Sequence, residues 1–440
     1  MFRITDVLAR EILDSRANPT VEVDVFVNGT MSGRAAVPAG ASTGAAEAVE
    51  LRDRGEAWYD GWGVRQAVRN VRETIRPHVL GLDPVDQQAL DACLVDLDGS
   101  PGKQRLGANA LLGVSLAAAH AAAAARGTAL FLHIQQLMRD TSPAAEAADH
   151  ADAACSTPPL TMPLPMTNMI SGGLHAGGNL DFQDVLIAPR GAADYRTGLE
   201  WMVRIYRRLG RLLADAGYDG RLVGDEGGYG PRLETNREAI EFVVRAIEAV
   251  GLQPGDDVTI ALDVAASHFF RGGLYCLDNE GSVRLQSSEM INRLEALVDN
   301  LPITSIEDGL AEEDWEGWQE LTDRMGDRIQ LIGDDLFATN TQRLRRGIQT
   351  NVANSVLVKV NQVGTLSEAL QTLATARAAG YSVVVSARSG ETEDTTIADL
   401  AVGTSAEQIK IGSVARGERG AKYNQLLRIQ ELLCSAIQAD

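Results

Sequence analysis

The sequence predicts an α/β protein in which a smaller α+β domain, residues 1–138, precedes a (β/α)8-type barrel spanning residues 160–440. Three observations carry this reading. At 440 residues the chain exceeds the usual size of a single domain. From residue 160 onward, short apolar runs recur at 161–169, 182–188, 257–264, 302–306, 328–333, 355–360, 381–385 and 408–411. Most of the later runs are separated by amphipathic segments such as 235–251, 288–300 and 365–379, and eight buried strands alternating with helices are the pattern of a closed parallel barrel. An open doubly wound sheet is the competing architecture, but no Gly-rich GxGxxG turn follows a strand here.

The elements follow in order. Residues 20–27, Thr-Val-Glu-Val-Asp-Val-Phe-Val, alternate with period two and predict a half-buried strand that stops at the turn Asn28-Gly29. Helical segments come next, ending in the Ala-rich run Ala108 to Ala125, so the first domain is α+β. Residues 139–159 are rich in Ala, Asp and Pro without periodicity and read as a linker or loop. The barrel strands begin after them.

Composition narrows the function. The formal charge is −20 and the pI about 4.8, a balance that argues against binding nucleic-acid phosphates through clustered cations. Cys93, Cys155, Cys276 and Cys434 are scattered without CxxC spacing, which suggests a reducing compartment and no zinc site. The first twenty residues contain no apolar core of a leader, and no later stretch reaches 18 uninterrupted apolar residues. A cytoplasmic protein is therefore expected. Of 40 basic residues only Lys103, Lys359, Lys410 and Lys422 are lysines. Each is worth asking about, because a buried lysine can lose its proton near neutral pH and arginine cannot.

Barrel enzymes present their reactive groups at the carboxyl ends of strands. The apolar runs here end in Asp263, then Glu307 and Asp308, then Asp334 and Asp335. The next three carry Lys359, then Arg388 and Ser389, then Lys410. Three strands thus deliver carboxylates and the following three deliver cations, each about one βα unit from the last. Carboxylates without a neighbouring histidine or thiolate suit a hard, oxygen-seeking cation, and magnesium in particular. A lysine near a metal and a second cation has its pKa lowered and can serve as a general base. Together they suit removal of a weakly acidic proton next to a carboxylate, with the metal neutralising the charge that develops. Any single acid at a strand end also reads as a helix N-cap or a solvated loop charge, and that alternative competes most strongly at Asp308 and Asp335. Lys359 alone could snorkel from its strand, although Val358 and Val360 flank it.

Over almost its whole length the chain resembles the enolase family. The resemblance rests on EILDSRANPTVEVDV, PAGASTG, GANALLGVSLA, VGDEGGYGP, SIEDGL, GDDLFATNT, VKVNQVGTLSE, RSGETEDTTIADLAVGT and AKYNQLLRI. It implies an enolase-type barrel opening ββαα, an N-terminal capping domain, two Mg²⁺ ions and a homodimer. It also implies roles for particular residues. Asp263, Glu307 and Asp334 match ligands of the first magnesium, and Ser42 in GASTG matches a ligand of the second. Lys359 matches the base that takes the C2 proton of 2-phosphoglycerate, and Glu226 the acid that assists loss of the C3 hydroxyl. Lys410 matches the lysine that pairs with the substrate carboxylate. Arg388 and Ser389 match phosphate-binding residues, and His175 in SGGLHAGG matches a histidine on a closing loop.

The chain also departs from the family pattern. Asp184 stands where the family has Glu, Ala387 where it has His, His268 where it has Glu, and Ala39 where it has Ser. Asp184 is one methylene shorter, which can draw a carboxylate out of hydrogen-bond reach, and Ala387 opens space in the pocket wall. Proton abstraction from a phosphorylated or phosphonylated three-carbon acid is therefore expected, with either the substrate or the departing group altered. The arginine-rich composition resembles that of a high-GC bacterium, and the pattern is similar to specialised relatives such as carboxyphosphonoenolpyruvate synthase of phosphonate antibiotic biosynthesis. A housekeeping enolase and a non-catalytic binding protein of the same fold are the rival readings.

Overall fold

The alternating residues 20–27 lie in β2 (Pro19–Val27), the middle strand of a three-stranded antiparallel sheet with β1 (Ile4–Leu13) and β3 (Thr30–Ala36). Strand β2 is buried on both faces rather than half-buried, because Arg10 and Arg34 pair with and cover Glu22 and Asp24. The turn between β2 and β3 is Asn28-Gly29, with φ of 51° and 86°, the positive pair that a two-residue hairpin needs. The structure, a computed structural model, describes residues 2–41, 44–141 and 159–437.

Helix α1 (Gln87–Asp98) starts on Asp86, whose carboxylate accepts the Ala89 N–H, and α2 (Ala108–Arg126) lies across the sheet. Its alanines let the backbones meet: a Cβ on Gly33 would lie 2.1 Å from the Ala117 carbonyl oxygen. By length and apolarity α2 could cross a membrane, but 83% of that stretch is buried inside the protein, as expected of a core helix. Helix α3 (Leu130–Thr141) takes in the first three residues of the predicted linker, and residues 142–158 of that linker lie outside the described residues.

The eight predicted apolar runs are the eight strands of a closed barrel. The first two, β4 (Leu164–Ser171) and β5 (Asp184–Ala188), are antiparallel. Helices α4 (Tyr195–Asp215) and α5 (Asn236–Glu248) follow, and then β6 (Thr259–Asp263), also antiparallel to β5. A small sheet of β7 (Phe270–Arg271), β8 (Leu274–Leu277) and β9 (Val283–Leu285) intervenes before α6 (Ser287–Asn300). Regular βα units complete the circle: β10 (Ile303–Glu307), α7 (Trp315–Met325), β11 (Gln330–Gly333), α8 (Thr341–Gln349) and β12 (Ser355–Val358). The last are α9 (Leu366–Ala378), β13 (Ser382–Ser386), α10 (Thr396–Gly403), β14 (Gln408–Lys410) and α11 (Gly417–Ile437). Asp194, Thr235, Asp314, Asn340 and Thr365 cap α4, α5, α7, α8 and α9 by accepting an N–H of the first turn, each stabilising by about 1 kcal/mol.

Met166, Leu186, Ala261, Ile332, Leu357 and Val384 fill the barrel axis as one dry layer. Polar side chains are thereby confined to the two mouths. At the foot, Gln330 bonds Ser355, Ser382 and Gln408. The acids and lysines singled out above lie at the opposite mouth.

Candidate active site

Asp263, Glu307 and Lys410 are the final residues of β6, β10 and β14, while Asp334, Lys359 and Arg388 stand just beyond β11, β12 and β13. Asp184 reaches the same mouth from the other direction. It is the first residue of the reversed strand β5 and pairs in register with Asp263. Glu226 lies between α4 and α5, and His175 sits in the 3-10 turn Gly173–Ala176 after β4. All these side chains except that of Lys359 are classed as buried, and Lys359 is nearly so.

Ion pairs hold them together. The Lys410 ammonium is 2.7 Å from Asp263 Oδ2 and 2.8 Å from both carboxylate oxygens of Glu307. Lys359 Nζ donates to Asp334 Oδ2 at 2.5 Å, and Gln362 Nε2 donates to Asp334 Oδ1 at 3.2 Å. Gln183 Nε2 donates to Asp263 Oδ2 at 2.9 Å. The remaining cavity is only about 20 Å³, walled in part by His175, Glu226, Lys359, Ala387, Arg388 and Lys410.

The expected depression of the Lys359 pKa is not found in this arrangement. Burial is the largest single influence and pulls it down, but Asp334 and Glu307 together carry the net shift upward. Lys410 is likewise raised well above the ordinary lysine value, burial being overcome by Asp263 and Glu307. The depression assumed a divalent cation already on the carboxylates.

The donor set fits such a cation. Asp263, Glu307 and Asp334 offer oxygen only, and positive charge already lies among them as Nζ groups that stand in for it. Among the described residues, two buried groups place ligand atoms within 4.8 Å of one another: Asp308 with Asp334 and Asp335, and His175 with Asp184 and Glu226. In the first, Asp308 acts as a brace. Its two oxygens accept the Asp334 and Asp335 N–H groups at 2.9 and 2.8 Å. Burial and Asp334 push Asp335 up to about 7. Neither residue is the N-cap or solvated charge that was the alternative at these positions.

In the second group His175 lies between two acids and is hydrogen-bonded to one of them. His175 Nδ1 is 2.8 Å from Asp184 Oδ2, and its Nε2 lies 4.0 Å from Glu226 Oε1. The two ring nitrogens point at different acids, so one ion could not use both. Ser171 Oγ donates to Asp184 Oδ1 at 2.8 Å, and Asn168 Nδ2 donates to Glu226 Oε2 at 3.0 Å. The shorter Asp184 therefore remains within hydrogen-bond reach, contrary to the expectation from its lost methylene. Burial opposes charge on His175, but Asp184 and Glu226 raise it to about 9. Burial also opposes the Glu226 carboxylate, yet His175, Arg419 and Lys410 hold it near 2. His268 is half-buried, and burial lowers its pKa against the pull of Asp263.

Beyond the end of β13, Arg388 pairs with Glu47 from the N-terminal domain at 3.1 and 3.3 Å and donates to Asn361 Oδ1 at 2.7 Å. Ser389 Oγ accepts the Ala41 N–H at 2.7 Å. Ala387 forms part of the wall, its N–H donating to the Lys410 carbonyl at 2.8 Å. Ser42, the expected ligand of a second magnesium, lies outside the described residues. Sequence reasoning missed Glu47, Gln183, Asn168, Asn361 and Gln362, which bear no strand-end signal. Only the doubled acids of SIEDGL and GDDLF hinted that Asp308 braces the next strand end.

Two family models match the chain. Residues 4–134 match the model described as "Enolase, N-terminal domain", and residues 159–439 match "Enolase, C-terminal TIM barrel domain".

Proposed function

The chain belongs to the enolase family, and from that premise we propose that it abstracts the α-proton of a 2-phosphoglycerate-like carboxylate to form a phosphoenolpyruvate-type product. The observation that carries this reading is the set of three strand-end carboxylates faced by two lysines in one buried pocket. Asp263, Glu307 and Asp334 would hold Mg²⁺, which supplies positive charge opposite the charge that develops on the substrate carboxylate. With Asp334 so occupied, Lys359 would lose the carboxylate that now raises its pKa and could take the proton as a neutral amine. Lys410 would turn from Asp263 and Glu307 toward the substrate carboxylate. The relay of Asp184, His175 and Glu226 can deliver a proton to a departing oxygen from the opposite wall. Arg388 and Ser389 would grip the phosphorus oxyanion. In this proposal the enzyme is a cytoplasmic homodimer carrying two Mg²⁺ ions.

Ala387 favours the specialised version, a carboxyphosphonoenolpyruvate synthase-like paralogue, because an extra carboxylate next to phosphorus needs the room an imidazole would fill. The intact His175–Asp184 hydrogen bond favours the housekeeping reaction, 2-phosphoglycerate to phosphoenolpyruvate, as second reading. A coupled assay of purified protein with 2-phosphoglycerate and Mg²⁺ separates them. Turnover of tens per second or more assigns the housekeeping activity, whereas turnover far below that range leaves the specialised one. A Lys359→Ala protein that keeps its biological role would point to binding without catalysis.

A further inference from the structure

Two cations buried on α11 have no contact with substrate in the reaction just proposed. Arg419 is fully buried, and it reaches two strand ends at once. Its Nη1 donates to the Arg388 carbonyl at 2.7 Å and to the Ile411 carbonyl at 3.0 Å, and its Nη2 donates to the Ser389 carbonyl at 2.7 Å. Three residues on, Lys422 Nζ lies 2.8 Å from Glu391 Oε2 and donates to the Thr392 carbonyl at 2.6 Å. The other oxygen of Glu391 accepts the Arg388 N–H at 3.1 Å. Glu391 is thus a buried tether.

Both backbone polar groups of Arg388 are therefore held by side chains, the carbonyl by Arg419 directly and the N–H through Glu391 to Lys422. The Ile411 carbonyl, on the same guanidinium, follows directly after Lys410. Among the described residues the nearest carboxylate to this buried arginine is that of Glu418, at 3.5 Å, and its hydrogen bonds go to carbonyl oxygens instead. The backbone makes way for it: Gly412 has φ of 105°, and a Cβ there would lie 3.0 Å from Arg419 Cδ.

We infer that Arg419 is a positioning residue that sets the spacing between the strand end gripping the oxyanion, Arg388–Ser389, and the strand end carrying Lys410. The planar fork spans three carbonyls from two strands, and a lysine, as a single point donor, cannot reproduce that span. The inference rests on the oxyanion-gripping role proposed above for Arg388 and Ser389.

The test uses the full chain with Arg419→Lys, read by calorimetric titration with inorganic phosphate in the presence of Mg²⁺, by KM and kcat for 2-phosphoglycerate, and by thermal melting. The expected result is at least a tenfold loss of phosphate affinity and a matching rise in KM, with kcat altered less than threefold. Should Arg419→Lys not fold, Glu391→Gln provides the second arm, with an expected loss of about threefold in phosphate affinity as the charged tether weakens. Unchanged affinity in the folded variants, or an equal loss in kcat and KM that follows the melting temperature, overturns the inference. Loss of phosphate affinity in Arg419→Lys, beside a wild type that does not turn over 2-phosphoglycerate, upholds the positioning role while removing the housekeeping form of the proposed reaction. A wild type that binds no phosphate removes both.

Discussion

Replacing Lys410 by Met tests whether the lysines stand in for a metal. In the present arrangement one ammonium compensates two buried carboxylates through three contacts of 2.7 to 2.8 Å. Without it Asp263 retains Gln183 as a donor, and Glu307 retains no side-chain donor among the described residues. Removing one member of a buried ion pair costs about 3–5 kcal/mol, and with two acids stranded the upper half of that range is expected in EDTA. Divalent metal should reverse the loss. A ligand present at a hundred times its Kd stabilises the folded state by about 2.7 kcal/mol. In the wild type the ion must first displace the ammonium, so Mg²⁺ should stabilise Lys410→Met more than the parent. Urea unfolding of both proteins in EDTA and in saturating MgCl2 measures the difference. A variant as stable as the parent in EDTA, or equal stabilisation of both by Mg²⁺, would refute the stand-in argument.

Three further outcomes are expected. Lys359→Ala should lower kcat by roughly 10²–10⁴-fold, the usual worth of a general base, and should abolish exchange of the substrate α-proton with deuterated solvent; exchange at the wild-type rate would remove Lys359 from that role. His133 is buried on α3 with both ring nitrogens unpartnered among the described residues, and burial lowers its pKa to about 4. As its folded pKa lies below the unfolded 6.5, the stability held above pH 6.5 is lost as pH falls toward 4, so His133→Leu should gain about 2 kcal/mol over wild type between pH 7 and pH 5 in urea titrations. A difference that does not change with pH would contradict this. Ala387→His should weaken inhibition by phosphonoformate about tenfold while leaving 2-phosphoglycerate turnover intact or improved, and equal inhibition of both proteins would count against Ala387 as the space-making residue.

The barrel could be read from the sequence because buried strands need continuous apolar runs, and each of the eight runs overlaps a strand. Strand-end logic brought Asp263, Glu307, Asp334, Lys359, Arg388 and Lys410 to one mouth for the same reason. It could not have found Asp184. In a strand that runs backwards the functional end is the first residue, and nothing in DVLIA reveals its direction. Only the resemblance pointed there. The scarcity of lysine was informative in an unforeseen way. Lys359 and Lys410 line the pocket, but Lys103 pairs with Glu368 across the two domains and Lys422 pairs with Glu391. Buried lysines here mark places where charge must be neutralised at a point, and a pocket is only one such place. Neutral partners such as Gln183, Asn168 and Asn361 left no trace in charge or periodicity, because their value lies in geometry alone.

The pairing of Arg388 with Glu47 has a consequence for how the molecule is assembled. One partner comes from the barrel and the other from the chain that folds before it. A barrel that closed by itself would lack the Glu47 partner of Arg388, so docking of the first domain supplies that ion pair. Exchange of the first domain between relatives would be tolerated only where the incoming segment supplies an acid at the same point.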